Sequence, residues 1–135
     1  MSVRLFVMIL VLLLVFPVLG ISDTITKVFN YPNPYIPASG DNNIVFFYVR
    51  SAGAGDFTLT YYVTIYNLVG HRVLVKQRTF PVVEAAVPNV ISFTWNGKTD
   101  RGDAVPPGVY YIRIVTDGGA GSVQSISKYG KMMIK

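Results

Sequence analysis

The side chains that could do chemistry are few in this chain, and they are scattered. His71 is the single histidine and there is no cysteine. A lone imidazole has neither the ligand partners of a zinc site nor the positioned neighbours of a general base. Asn96, Asp100 and Asp103 fall in one loop and raise the question of a calcium site. Such a site needs several oxygens converging on one point, and Lys98 and Arg101 interrupt the set, so ordinary turn chemistry is the better reading. Arg101-Gly102-Asp103 spells a tripeptide found in adhesion ligands, but a three-residue match is weak, and the glycine already has a use in shaping the loop. The Gly53–Gly55 stretch lacks the Lys-Ser/Thr that a phosphate-cradling loop requires, and no Gly-x-Ser-x-Gly elbow occurs. The expectation is a protein with no catalytic residues, no metal and no cofactor.

The elements that would position such residues begin after a leader. Arg4 precedes an unbroken apolar run from Leu5 to Phe16, which Pro17 ends, and Val18-Leu19-Gly20 follows. This is the pattern of a secretory signal peptide over residues 1–20, with cleavage expected after Gly20 or, failing that, after Ser22. A retained anchor is the alternative, but a bilayer span takes about 20 apolar residues and this run is shorter. No stable membrane span is expected once the leader is removed. Without Arg4, the 12 bases fall by one against 7 acids, leaving a charge of +4. Those charges form no run or patch of the kind a nucleic-acid binder concentrates on one face, so no nucleic-acid partner is expected. With no disulfide available, the exported part must rest on its apolar core.

That part reads as all β. Apolar residues alternate with period two and turn signals recur at short intervals. Residues 21–43 are expected to be a Pro-rich entry segment, with Tyr31–Pro37 extended, polyproline-like and at a sheet edge. Strands are expected at Ile44–Arg50, Thr58–Tyr66, Arg72–Thr79, Val90–Asn96, Val109–Thr116 and Lys128–Lys135. Inward positions are Ile44, Phe46 and Tyr48; Leu59, Tyr61, Val63 and Ile65; Val73 and Val75; Ile91, Phe93 and Trp95; and Tyr110, Ile112 and Ile114. Asn67-Leu68-Val69-Gly70 is a tight connection in which Gly70 supplies a positive φ. Pro81–Asn89 is an irregular crossing, and Asp117–Gly121 a Gly-rich turn. The fold class is therefore an all-β, two-sheet antiparallel sandwich of immunoglobulin or fibronectin type III character over residues 44–135, with Trp95 at its centre.

Several segments, taken in order, resemble a known family. They are Tyr31-Pro32-Asn33-Pro34, Val63 to Val73, Phe93-Thr94-Trp95-Asn96-Gly97, Asp100-Arg101-Gly102, Val105 to Ile114, and the terminal Lys131-Met132-Met133-Ile134-Lys135. Together they resemble the Ig-like domain of the bacterial flagellar hook-capping protein family, the FlgD type. They are also similar to related C-terminal domains of secreted bacterial proteins, including sorting domains of the type IX secretion pathway. The resemblance covers nearly all of the chain after the leader. It implies a fold and an accessory role, not a hook cap, because the region with which hook-capping proteins engage the flagellum has no counterpart here. Fold alone does not give function.

The first strand is apolar on both faces. If Ile44, Phe46 and Tyr48 fill the core, Val45, Phe47 and Val49 need cover, either from the Pro-rich segment or from a partner. Tyr62, Tyr66 and Tyr111 would extend that surface, since tyrosine suits interfaces that are wet at one end. Edge strands offer a second route, by strand addition. The sequence thus points to an exported, non-catalytic structural or interaction module of the cell envelope, periplasmic or extracellular, with a protein partner. A secretion or surface-sorting domain and a carbohydrate-binding module are the alternatives.

Overall fold

The computed structural model describes residues 22–117 and 126–135. The leader expected over residues 1–20 lies outside that range, as does most of the turn expected at Asp117–Gly121. Seven strands run in chain order: β1 Thr24–Tyr31, β2 Asn42–Val49, β3 Phe57–Asn67, β4 Arg72–Val82, β5 Asn89–Trp95, β6 Gly108–Thr116 and β7 Ile126–Ile134. They form a three-stranded sheet in the order β1-β2-β5 and a four-stranded sheet in the order β4-β3-β6-β7, and every strand pairing is antiparallel. The two-sheet sandwich read from the alternation is the observed architecture.

The period-two pattern does the sorting. Ile44, Phe46 and Tyr48 of β2 are buried, as are Ile91, Phe93 and Trp95 of β5 and Tyr110, Ile112 and Ile114 of β6. With Leu59, Tyr61, Val63 and Ile65 of β3 they form one continuous apolar cluster between the sheets. Trp95 is 3% exposed, and its indole N–H donates to the Lys98 carbonyl at 2.8 Å. That bond satisfies the one polar atom of the ring and pins the start of the 96–105 loop. Tyr110 is buried at the start of β6 and donates to the Pro106 carbonyl four residues upstream at 2.5 Å, the tyrosine corner typical of immunoglobulin-like sandwiches.

Two expectations need correction. Residues 21–43 are more than an entry segment: β1 within them is a full strand of the smaller sheet, paired along β2 from Thr24↔Val49 to Tyr31↔Asn43. A register shift between Ile25 and Lys27 breaks its alternation, which hides the strand from a period-two reading. Beyond it, Pro32–Pro34 form bends and Pro37–Ser39 a 3-10 turn, so the prolines do not run as an extended polyproline stretch. Between them Tyr35 is completely buried and meets the end of β7. Its backbone N–H donates to the Met133 carbonyl at 2.8 Å, and its carbonyl accepts from the Lys135 N–H at 2.9 Å. Asn33 accepts from the Met133 N–H at 3.2 Å. The Tyr-Pro-Asn-Pro-Tyr and Lys-Met-Met-Ile-Lys segments, far apart in sequence, thus close one side of the sandwich together.

The second correction concerns β4, where Leu74 is buried while Val73 and Val75 are only partly so. The ladder between β3 and β4 is irregular next to Ile65, and Leu74 lies opposite that inward residue. Antiparallel partners share a face, so Leu74 takes the inward place and Val75, opposite Thr64, turns outward, while Val73 at the irregularity still packs against the core as a partly buried residue. On the closed side, a Cβ at Gly130 of β7 would sit 2.8 Å from the Val28 carbonyl oxygen, so the backbones of β1 and β7 approach at a distance that excludes a side chain.

Candidate interaction surfaces

Side chains that leave the core alternate onto two outer faces, one for each sheet. On the three-stranded sheet the register lines up Phe29, Val45 and Ser92 in one row and Lys27, Phe47 and Val90 in the next. Val45, Phe47 and Val49 are half-buried, and Val90 is 56% exposed. The Pro-rich segment does not lie over them, because it turns away to β7. Their partial cover is lateral: the Phe29 and Phe47 rings meet edge to face at 5.7 Å, and the Lys27 ammonium sits 4.9 Å from the Phe29 ring centre. The face is aliphatic and aromatic, and Lys27 is the one charge in these rows.

Tyr62, Tyr66 and Tyr111 do not extend that surface. They belong to β3 and β6, so they lie on the outer face of the four-stranded sheet, across the core from Val45, Phe47 and Val49. The expected single patch is two patches, because β2 and β3 belong to different sheets. Tyr66 pairs with Tyr111, which pairs in turn with Lys131; one row inward, Thr64 pairs with Arg113 and Arg113 with Tyr129. The hairpin between β3 and β4 caps these rows with Leu68 at 66% and Val69 at 75% exposure. Tyr66, Tyr111, Tyr129, Leu68 and Val69 together line a broad, open hollow of about 750 Å³.

The hairpin needs neither apolar residue to form. Gly70 has φ +87° and donates to the Asn67 carbonyl at 3.0 Å. The Asn67 side chain accepts from the His71 N–H at 2.8 Å. Asn67 and Gly70 thus supply the turn chemistry, while Leu68 and Val69 occupy its tip. By its sequence alone this segment reads as a tight connection only. The signal that would have found the surface is the choice of two large aliphatic residues where turns favour polar ones.

The open side, between β4 and β5, holds a polar hollow of about 420 Å³ lined by Asp41, Lys76, Arg78, Trp95, Lys98 and Asp100 among others. Asp100 is committed to the fold: it accepts from the Val75 N–H at 3.1 Å and meets the Lys76 ammonium at 3.2 Å. Asn96 accepts from the Lys98 N–H at 3.1 Å. Asn96 thus serves a contact within the loop and Asp100 a contact to β4, while the backbone of Asp103 bonds to Thr99, so the three side chains are put to no common use. Among the described residues no group of three or more His, Cys, Asp or Glu side chains is placed to hold a metal ion. Arg101, Gly102 and Asp103 are exposed at the loop tip, and His71 is exposed at its hairpin.

One buried ionic cluster was not foreseen. At the opposite end from the Leu68–Val69 tip, Asp23 meets Arg50 at 2.7 Å, with each side chain 6% exposed. Arg50 also donates to the Gly55 and Ala54 carbonyls at 2.9 and 3.0 Å, and its guanidinium lies 4.2 Å from the Phe57 ring centre. Asp23 accepts further from the Tyr48 hydroxyl at 2.5 Å and the Ser51 N–H at 2.7 Å. Burial alone would raise the Asp23 carboxyl, but the bonds from Tyr48, Ser51 and Arg50 outweigh it and hold the group below its ordinary range. Burial and the Asp23 contact push the Tyr48 hydroxyl well above the usual tyrosine range. With its polar atoms satisfied, the cluster is a structural lock on the 51–56 loop and shows no reactive poise.

No protein family matches the chain at the sequence level, and no curated protein does. Solved structures do share the fold. A segment of dimeric latent PorU from Porphyromonas gingivalis matches with a TM-score of 0.59 at 19% identity, over 84% of this chain and 9% of that one. Part of the Pseudomonas fluorescens alkylpurine DNA glycosylase AlkC, solved bound to DNA containing an abasic site analog, matches with a TM-score of 0.54 at 14% identity, over 84% of this chain and 30% of that one. PorZ, described as an essential surface component of the type-IX secretion system of P. gingivalis, matches more loosely, with a TM-score of 0.42 at 20% identity over 81% of this chain and 11% of that one. The chain thus spans under a third of each of these three proteins, and what it shares with the PorU and AlkC segments is the fold.

Proposed function

We propose that this chain is an exported, non-catalytic docking domain of the secretion- or surface-associated Ig-like kind, acting through its outer faces without a covalent step. The observation that carries the reading is the apolar surface left over after the core is filled. Leu68, Val69, Tyr111 and Tyr129, all more than a third exposed, gather around one hollow at the end of the four-stranded sheet, and Val90 stands beside half-buried Phe47 on the other sheet. The resemblance to hook-capping-type Ig-like domains and to secreted bacterial sorting domains supports the same reading, as does the sandwich shared with a segment of PorU. The likeness to part of a DNA glycosylase is a reminder that the fold serves unrelated proteins. Its DNA does not transfer to this chain, which shares with it only the fold.

The protein partner is assigned to the three-stranded sheet, where Val45, Phe47, Val49 and Val90 give a nearly uncharged face suited to a dry contact. The test is to shave intact cells with protease and to recover the tagged chain from the envelope, comparing wild type with Val90→Lys. Surface-accessible protein that co-purifies with a defined envelope complex, and loses it on Val90→Lys without unfolding, is the expected result. A partner-free monomer retained in the cytoplasm would contradict the proposal. A chain found at the C terminus of a larger secreted precursor, by intact mass, would favour the sorting role.

A further inference from the structure

We propose that the outer face of the four-stranded sheet is a peripheral membrane-docking surface that takes an anionic lipid bilayer, with the Leu68–Val69 tip inserting. Three observations carry this. The first is the tip itself: two aliphatic side chains, 66% and 75% exposed, where Asn67 and Gly70 already make the turn. They add nothing to folding in water, and a residue that breaks a local rule without structural gain is expected to serve a site.

The second is the order of side chains behind the tip. Going inward along β3, the next row is Tyr66-Tyr111-Lys131, and the one after is Thr64-Arg113-Tyr129. Alternate residues on a strand are about 7 Å apart. Aliphatic residues therefore lead, tyrosines follow at the depth of the headgroups, and cations lie level with and behind them. That is the order in which a bilayer interface receives such groups. A folded protein partner does not call for this layering.

The third is charge. The outward positions of these four strands carry Arg72, Arg113 and Lys131 and no carboxylate. The buried Nε of Arg113 has no hydrogen-bond partner among the described residues, and its guanidinium stands 5.7 Å from the Tyr129 ring centre. The face complements phosphate headgroups and would be repelled by none of its own acids.

Because the chain has no cysteine, a single Val69→Cys label reports on the tip alone. Ala52→Cys, in the loop at the far end beside the start of β1, reports on attachment through the residues that precede Ser22. The full chain carrying an environment-sensitive fluorophore at either site is titrated with vesicles of phosphatidylcholine, or of phosphatidylcholine and phosphatidylglycerol in equal parts. The expected result is a blue shift at residue 69 with the anionic vesicles, weakened by salt, and none at residue 52. Arg113→Gln or Lys131→Gln should each weaken partitioning about fivefold, and Leu68→Asp should abolish the shift while leaving the urea midpoint unchanged. No shift at residue 69, equal shifts at both sites, or equal response to neutral vesicles would overturn the proposal. So would retention by a glycan or a protein that competes for the tip while vesicles do not.

Discussion

The two outer faces of this sandwich are built alike and finished differently. Both consist of alternate residues turned away from one core, and both leave apolar side chains outside it. On the three-stranded sheet the apolar side chains lean on one another: Phe29 meets Phe47 edge to face and Val45, Phe47 and Val49 are half-buried, so part of their burial is already gained on folding. On the four-stranded sheet Leu68, Val69, Tyr111 and Tyr129 are left in water, with cations beside them. Half-buried apolar residues contribute to stability wherever they sit, whereas exposed ones at a turn contribute to nothing until something else arrives. The difference separates apolar residues that already contribute to the fold before any contact is made from those that contribute only in a contact.

Substitutions test that separation. Tyr35→Ala should have the largest effect, because this wholly buried ring bridges the N-terminal segment, β7 and Trp95. A loss of about 3–5 kcal/mol is expected in urea denaturation, and with it the alignment of both faces. Tyr35→Phe is its counterpart: the hydroxyl is buried without a partner among the described residues, so its removal should cost less than about 1 kcal/mol or stabilise. Asp23→Ala should follow, at about 3 kcal/mol, by leaving Arg50 buried and unpaired.

Asp23 also fixes a pH dependence. Its carboxyl is held below its ordinary value of 3.8 in the fold. The unfolded chain therefore binds the proton more readily, and the contribution is present above 3.8 and lost as pH falls through the depressed native value. Urea midpoints measured between about pH 2 and 6 should fall on the acid side in the wild type, and this limb should flatten in Asp23→Ala. The comparison of the faces is sharpened by the two smallest effects. Phe47→Ala should cost about 1–2 kcal/mol, half-burial plus one aromatic contact. Leu68→Asn combined with Val69→Asp should stay within about 0.5 kcal/mol of wild type.

The sandwich was legible because its inner positions alternate without interruption: Ile91-x-Phe93-x-Trp95 and Tyr110-x-Ile112-x-Ile114 admit one reading of which side is inside. Strand β1 was not legible, because the shift between Ile25 and Lys27 breaks the alternation and the prolines that follow suggest a linker. Val75 misled for a related reason, since the irregular ladder beside Ile65 gives the inward place to Leu74 and leaves Val73 only partly buried against the core. Of the candidate site, the individual residues were readable but not their grouping. Which sheet a strand joins is decided by long-range pairing, and nothing local to Phe47 or Tyr62 says that the core lies between them. The Asp23–Arg50 cluster was out of reach for the same reason.

The central claim is that this domain works by docking its outer faces. A photo-reactive residue placed at Val90, at Tyr129 or at the exposed Ala85 of the loop after β4, in the exporting cell, tests it most directly. Discrete adducts from Val90 and from Tyr129, differing in mass, with none from Ala85, are the result expected. Equal labelling from all three positions, or none from either face, would contradict it.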